Sequence, residues 1–368
     1  MAYENGYEID FLAVGEGDRS GDAIAIRWTE GEGFKVLVYD GGTKASGQQL
    51  VNHIKTHYHT SHVDYVVNSH PDGDHASGLS VVLEQLTVGE VWMHRPWEHS
   101  AIIRDYFHDG RITDESLKVR LQAKMTAAHR LEELALEKGI PINEPYQGDR
   151  IGPFFVMSPS KDWYIHDLVA DFAKSPERKA SLETALDEAF EGVAKAFRKA
   201  IRWVAEEWDV EYLREAVTTS AENESSVILL GLFGEKGIML TGDAGVQALN
   251  CAAGFADALG LDLPGILNFV QVPHHGSRNN VSTSTLDRII GPRKAANDGS
   301  FTKTAFVSAS ATSETHPRKM VENAFTKRGA KVYKTKGQSI RYPSNMPARD
   351  GWVSLVPVEI HGEVEAWD

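Results

Sequence analysis

Residues 70–75 read His-Pro-Asp-Gly-Asp-His, which packs two imidazoles and two carboxylates into six positions directly after a short β-branched run at 63–68. Four ligand-type groups on one turn point to a metal. Imidazole nitrogen and carboxylate oxygen suit zinc, manganese or iron, and the small residue Gly73 lets a short loop close around an ion without steric cost. The plainer reading of the same box is a polar loop whose carboxylates cap a helix near Ala76. Two later segments repeat the arrangement of a strand ending at ligand-type groups: Met239-Leu240-Thr241-Gly242-Asp243 and Val270-Gln271-Val272-Pro273-His274-His275-Gly276-Ser277. Taken alone, a Gly-Asp pair is a turn, and an adjacent His-His pair is one buried and one solvated ring. Strand ends are where α/β sheets gather their sites, so the ordered trio says more than its members.

The surrounding pattern is α/β. Alternation predicts strands over 7–14, 22–28 and 35–39, the last stopping at Asp40-Gly41-Gly42, a tight-turn signature. A helical pattern over 46–57 and a strand over 63–68 complete a crossover unit, followed by a helix over 78–86 and a strand over 88–93. Apolar spacing predicts one helix over 116–138, stopped by Gly139 and Pro141, and a longer one over 181–208 with an apolar stripe from Leu182 to Trp208. Residues 160–220, which also include 163–172, read as a helical insertion within one domain spanning 1–368. Strands are expected again over 226–233, 237–240, 266–272, 306–309, 331–333, 339–342 and 352–360, with helices over 246–259 and 318–328.

Composition narrows the function classes. With 42% hydrophobic and 24% charged residues, the 368-residue chain can bury a sizeable core, which excludes disorder, collagen and coiled coil as global descriptions. Fifty-two acidic against 38 basic residues leave a formal charge of −14, which disfavours indiscriminate attraction to a phosphate backbone or an anionic membrane. Contact with nucleic acid then needs a local basic patch or bound cations. Cys251 is the single cysteine, so no internal disulfide framework is possible, and it is expected as a buried thiol on a helix. The first residues have neither a basic nor an apolar leader region, and no apolar run approaches the ~20 residues that cross a bilayer. The expectation is a cytoplasmic protein without a membrane.

The motifs together resemble the metallo-β-lactamase-fold hydrolases, and within them the type of the ComEC competence protein's hydrolase domain. The pieces that carry the resemblance are Val14-Gly15-Glu16-Gly17-Asp18 with Gly21-Asp22-Ala23, Tyr39-Asp40-Gly41-Gly42, the 69–75 box, Leu240-Thr241-Gly242-Asp243, Val272-Pro273-His274-His275-Gly276-Ser277 and Thr315-His316-Pro317. They span about 7–342 outside the insertion. The resemblance implies a four-layer αββα sandwich with a metal site, usually binuclear, at one edge of the two sheets. Carried over, His70 and Asp72 would hold one ion, Asp74 and His75 the other, and Asp243 would bridge. His275 would be a ligand of the second ion, with His274 facing substrate, although the choice between the two stays open. His316 would sit across the cleft, where it could bond a phosphoryl oxygen or protonate the leaving group.

Three departures from the family pattern matter. Asp72 stands where many members have a histidine, which makes the first site more oxygen-rich and tilts the choice of two divalent ions from zinc towards manganese or magnesium. A further histidine before the bridging aspartate is missing, and Glu222-Asn223-Glu224-Ser225-Ser226 occupies that region. Near the start, either Asp18 or Asp22 takes the family's aspartate position.

The chemistry so implied is hydrolysis of a phosphodiester, in nucleic acid or a nucleotide, by metal-bound hydroxide, since paired divalent ions lower the pKa of bound water to roughly 7. Asp74 would orient that nucleophile, and Asn223, His274, Arg278 and Lys303 are candidate contacts for the substrate. The competing reading is a partner-binding subunit that docks through the helical insertion around a structural or weakly active metal site. The array His53, His57, His59 and His62 reads as a solvated face, and His94 either lines the cleft or lies in a loop.

Overall fold

The computed structural model describes residues 5–17, 21–107, 109–176, 202–296 and 298–367. Two seven-stranded sheets carry the architecture. In the first, β1 (Tyr7–Phe11), β2 (Ala23–Glu30) and β3 (Gly33–Gly41) run antiparallel, and β4 (His62–Val67), β5 (Thr87–Trp92) and β6 (Ile142–Asn143) continue in parallel. The second sheet is built from β7 (Arg150–Ile151), β8 (Phe154–Ser158), β10 (Ile228–Phe233), β11 (Lys236–Leu240), β12 (Leu267–Gln271), β13 (Lys303–Val307) and β14 (Ala330–Lys334), with β11 to β14 parallel. β15 (Ile340–Ser344) returns to pair with β1 at the edge of the first sheet. A separate two-stranded ribbon joins β9 (Trp203–Ala205) to β16 (Glu363–Glu365).

Period-two alternation explains the layering. Ile24, Ile26 and Trp28 of β2 and Leu37 and Tyr39 of β3 point into the space between the sheets, where they meet Ile238, Leu240, Phe269 and Phe306. The alternate residues Ala23, Ala25, Val36 and Val38 face the helices α1 (Lys44–His53) and α2 (Gly73–Gln85). The second sheet turns Met239, Val270 and Ala305 towards its own helices, Val246–Ala258, Thr283–Ile290 and Lys319–Lys327. Three apolar layers between four layers of structure make the expected αββα sandwich. Phe11 and Phe269 both pack on Phe306, at centroid distances of 5.4 and 5.1 Å, and close the inter-sheet core.

Several expectations are corrected. The helix expected over 116–138 is two helices, Asp114–Lys124 and Thr126–Glu137, because Met125 leaves the helical region (φ −111°, ψ 50°) while its side chain stays buried. The long helix over 181–208 lies outside the described residues up to 201. Beyond that point it is not a helix, since Trp203–Ala205 pairs with Glu363–Glu365. Residues 161–171 are helical, and 202–220 form no helix. The strand expected over 352–360 does not form. Pro357 has no N–H to give a ladder, and the segment sends one backbone bond to β14, Val358 N to Val332 O. Arg349 anchors it by bonding Asp10 and Glu8. Cys251 is exposed rather than buried. Among the described residues, no helix is long and apolar enough to cross a membrane.

Candidate metal centre

The carboxyl ends of β3, β4, β11 and β12 converge at one edge of the two sheets, and the loops leaving them carry the site. Asp72 occupies the N-cap position of α2, yet its side chain makes no capping bond. Its carboxylate turns instead to the Lys174 ammonium, with Oδ2 3.8 Å from His70 Nε2. The plain capping reading of the box therefore does not hold. After β12, His274 and His275 take consecutive left-handed conformations (φ 46° and 54°), and His274 N–H donates to the Gly242 carbonyl. A non-glycine residue pays for that conformation in strain, so two in a row mark a turn held by its surroundings. It aims both rings at Asp243.

Hydrogen bonds fix the tautomers of His70, His75 and His275. Ser69 donates both its N–H (2.7 Å) and its Oγ–H (2.5 Å) to Asp40. With that proton committed, Ser69 Oγ can only accept from His70 Nδ1 at 2.9 Å. Asp40 also accepts from His75 Nδ1 at 2.9 Å. His275 Nδ1 donates to the Ser308 carbonyl at 3.1 Å. Asn280 gives its amide N–H to the Asp243 carbonyl and turns its own Oδ1 to His274 Nδ1 at 3.0 Å, while the Asn223 amide N–H faces the same Nδ1 at 3.1 Å, so the His274 ring is held in place without one tautomer being imposed.

His70, His75 and His275 thus carry a proton on Nδ1 and turn Nε2 to the pocket, and His274 turns its Nε2 the same way. These nitrogens surround Asp243: its Oδ2 lies 3.4 Å from His75, 3.6 Å from His274 and 4.0 Å from His70, and its Oδ1 lies 4.0 Å from His275. His70 Nε2, His75 Nε2 and Asp243 Oδ1 are buried without a hydrogen-bond partner. Each such group costs about 1–3 kcal/mol unless something answers it.

A pocket of acceptors facing acceptors calls for a cation. A proton is one answer: burial pulls His75 down, but Asp243 and Asp40 hold it well above its ordinary value. Burial would raise Asp243, yet His274, His75 and His275 hold it well below the usual carboxylate range. His70 is pushed down by burial and by His75. A divalent ion is the other answer, and the donor set fits it: imidazole nitrogens whose opposite N–H is anchored, with carboxylate oxygens between them. Two groups of ligand atoms lie close enough to share an ion, Asp40 with His70 and His75, and His75 with Asp243 and His275.

Residues 17–149 match the family model described as Metallo-beta-lactamase superfamily. That stretch is similar in sequence to the metallo-beta-lactamase superfamily. The superfamily is largely one of metal-dependent hydrolases, typically with one or two divalent ions, and the two sheets with their outer helices have the metallo-β-lactamase fold. Among solved structures, the chain is similar to the metallo-beta-lactamase fold protein YhfI from Bacillus subtilis, with 11% identity over 92% of this chain and 100% of that one, at a TM-score of 0.39. It is also similar to unliganded yeast PDE1, with 10% identity over 92% and 99% of the two chains, at a TM-score of 0.41. No curated protein matches the sequence.

Within this metallo-β-lactamase fold the expected residues are placed unequally. His70, Asp72, His75, Asp243, His274 and His275 come together as described. Asp74 does not join them: it stands half-exposed in the first turn of α2, and among the described residues its carboxylate makes no hydrogen bond or ion pair. Asn223 reaches His274 Nδ1 at 3.1 Å and Thr219 at 2.7 Å. His316 lies parallel to the His274 ring at 6.3 Å, with its Nδ1 on Thr315 Oγ1. Arg278 donates to the Ala366 carbonyl and stacks over Trp367 at 4.2 Å, and Lys303 donates to the Pro264 carbonyl.

Asp22 is buried and accepts from Gln271, whose Oε1 holds the Thr241 and Gly242 N–H groups, so it braces the loop that carries Asp243. Asp18 lies outside the described residues. His94 lies in the loop after β5, where it is buried, donates Nε2–H to the Pro145 carbonyl at 2.8 Å and stacks on Tyr164 at 4.1 Å. His53 is buried against Asp10, whereas His59 and His62 are exposed. The residues the sequence reading left without a role here are Asp40, Asn280, Ser308 and Lys174. Asp40 had a visible signal, a carboxylate at a strand end before two glycines.

Proposed function

We propose that this chain is a metal-dependent hydrolase of phosphodiester bonds, acting on nucleic acid in preference to small nucleotides, of the type to which the ComEC hydrolase domain belongs. One observation carries the reading: the Nε2 atoms of four imidazoles and the oxygens of Asp72 and Asp243 converge on one pocket, where His70 Nε2, His75 Nε2 and Asp243 Oδ1 are buried with no hydrogen-bond partner among the described residues and the Lys174 ammonium sits on Asp72. His70, Asp72 and Asp243 would hold a first ion, and His75, Asp243 and His275 a second. Bound divalent ions supply an activated water and offset the negative charge that grows on the phosphoryl oxygens. Manganese and zinc suit this donor set, and the share of carboxylate oxygen also admits magnesium.

The chain's own groups do the rest. Ser308 keeps His275 in one tautomer, Asp40 does so for His70 and His75, and Asn280 and Asn223 hold the His274 ring between them. His274 is the partly exposed ring beside Asn223, with a side chain 28% accessible, and it faces substrate. His316, whose ring lies parallel to that of His274 at 6.3 Å, would give a proton to the leaving oxygen. The acidic exterior does not prevent binding of a phosphodiester, because the cations at the site answer its charge locally.

The test is a substrate panel of linear DNA, RNA, cyclic dinucleotides and a β-lactam, with manganese, zinc or magnesium, on the wild type and on Asp243→Asn. The expected result is cleavage of nucleic acid that falls at least a hundredfold in the variant. Opening of the lactam with phosphodiesters spared would overturn the substrate class, and equal cleavage by the variant would show that a contaminant does the work.

A further inference from the structure

The insertion places one cation inside the site. Residues 161–171 end in a turn in which Ser175 N–H bonds the Phe172 carbonyl and Ser175 Oγ–H bonds that of Val169, with Phe172 buried beneath. Lys174 rides on this turn. Its backbone N–H donates to Glu222 Oε1 at 3.3 Å, and Glu222 is itself buried, with Oε2 unpartnered. The Lys174 side chain is 27% accessible, and its ammonium sits on Asp72 Oδ1, while Oδ2 of the same carboxylate faces His70 Nε2. Lys174 therefore stands on one of the three residues proposed to hold the first ion, tethered from both backbone and side chain.

We infer that Lys174 competes with the first divalent ion for Asp72, so that the centre fills in two unequal steps. The inference rests on the metal-centre reading above. Among the described residues, the second position has His75, Asp243 and His275 around it and no lysine on its ligands, whereas the first has a single imidazole and an oxygen donor, Asp72, that is already paired. An ion entering there must take Asp72 from the ammonium and then stand beside that positive charge in a buried setting, where like charges repel far more than in water. Once Asp72 is given up, the backbone tether keeps the ammonium at the rim of the same pocket, where it can turn to Glu222 or to the oxygen of an anionic substrate. First-ion binding and anion binding then assist each other, because each answers a charge that the other leaves exposed.

The experiment is metal titration of the purified full chain with manganese and with zinc, read by calorimetry and by metal content after gel filtration, for the wild type, Lys174→Met, Lys174→Arg and Asp72→Asn. The wild type should take one ion at least tenfold more tightly than the other. Lys174→Met should tighten the weaker step at least tenfold and leave the tighter one unchanged. Lys174→Arg, which keeps the charge, should stay close to the wild type, and Asp72→Asn should lose the weaker step. Two equal steps in the wild type that Lys174→Met does not alter would overturn the role of Lys174 while leaving the metal centre standing. No ion bound by the folded wild type would overturn the metal-centre reading, and this inference with it. Circular dichroism of each variant separates lost binding from lost fold.

Discussion

Asp40 holds its carboxylate on Ser69 and His75 Nδ1, and so decides what the pocket presents. Through Ser69 it sets the proton of His70, and directly it sets that of His75. Asp40→Asn replaces an acceptor with an amide that can turn its N–H groups towards His75 Nδ1 and favour the other tautomer, which removes the Nε2 lone pair. The variant should bind manganese or zinc about 10–100-fold more weakly in a chelator competition, with its fold intact; unchanged affinity would show that the ring does not depend on Asp40. His94 supplies a second residue-scale test. Burial, opposed by Glu144 and the Pro145 carbonyl, pushes its pKa from 6.5 down to about 4. A histidine depressed in the folded state favours folding above its unfolded value, and that contribution is lost as pH falls from 6.5 towards 4. The loss amounts to about 3 kcal/mol. Urea midpoints of the wild type should fall more steeply over that window than those of His94→Gln, and parallel curves would mean that His94 does not drive the acid limb.

At the scale of elements, two glycines set how closely α2 packs on α1 and β3, and hence where His75 stands. A Cβ on Gly78 would lie 1.9 Å from the Gly41 carbonyl oxygen and 2.7 Å from that of Thr43, and one on Gly47 would strike the Gly78 backbone. These contacts let α1 and α2 cross at van der Waals distance over the end of β3, where Gly78 N–H also bonds the Gly42 carbonyl. Both obstacles to a Cβ are backbone, which cannot rotate away. Gly78→Ala should cost about 3 kcal/mol in urea unfolding and loosen metal binding through α2; a midpoint within about 0.5 kcal/mol of the wild type would show that the helices can separate freely. Such elements were legible because strands and amphipathic helices write their period into the chain, and because the metal-type loops each follow a strand. The break at Met125 was not legible, since both helices keep one apolar stripe across it. Nor was Lys174: it lies 102 positions from Asp72 in a segment with no motif, and only the folded path of the insertion brings the two together.

The whole molecule is joined at the site as well as at the core. His70, Asp72 and His75 belong to loops of the first sheet, whereas Asp243, His274 and His275 belong to loops of the second, so an ion shared among them is a tie between the two halves of the sandwich. An ion that binds only the folded chain stabilises it by mass action, by about 2.7 kcal/mol at a hundred times its dissociation constant. For a chain of this size that is a rise in melting temperature on the order of 5 °C. The acidic surface offers a competing explanation, because a net charge of −14 attracts divalent cations diffusely and would also be relieved by them. Asp243→Asn separates the two. It removes a carboxylate shared by both halves and changes the total charge by a single unit. Melting curves recorded with manganese and with a chelator should differ by the full shift in the wild type and hardly at all in the variant. An equal shift in both would place the stabilising ions on the surface rather than between the sheets.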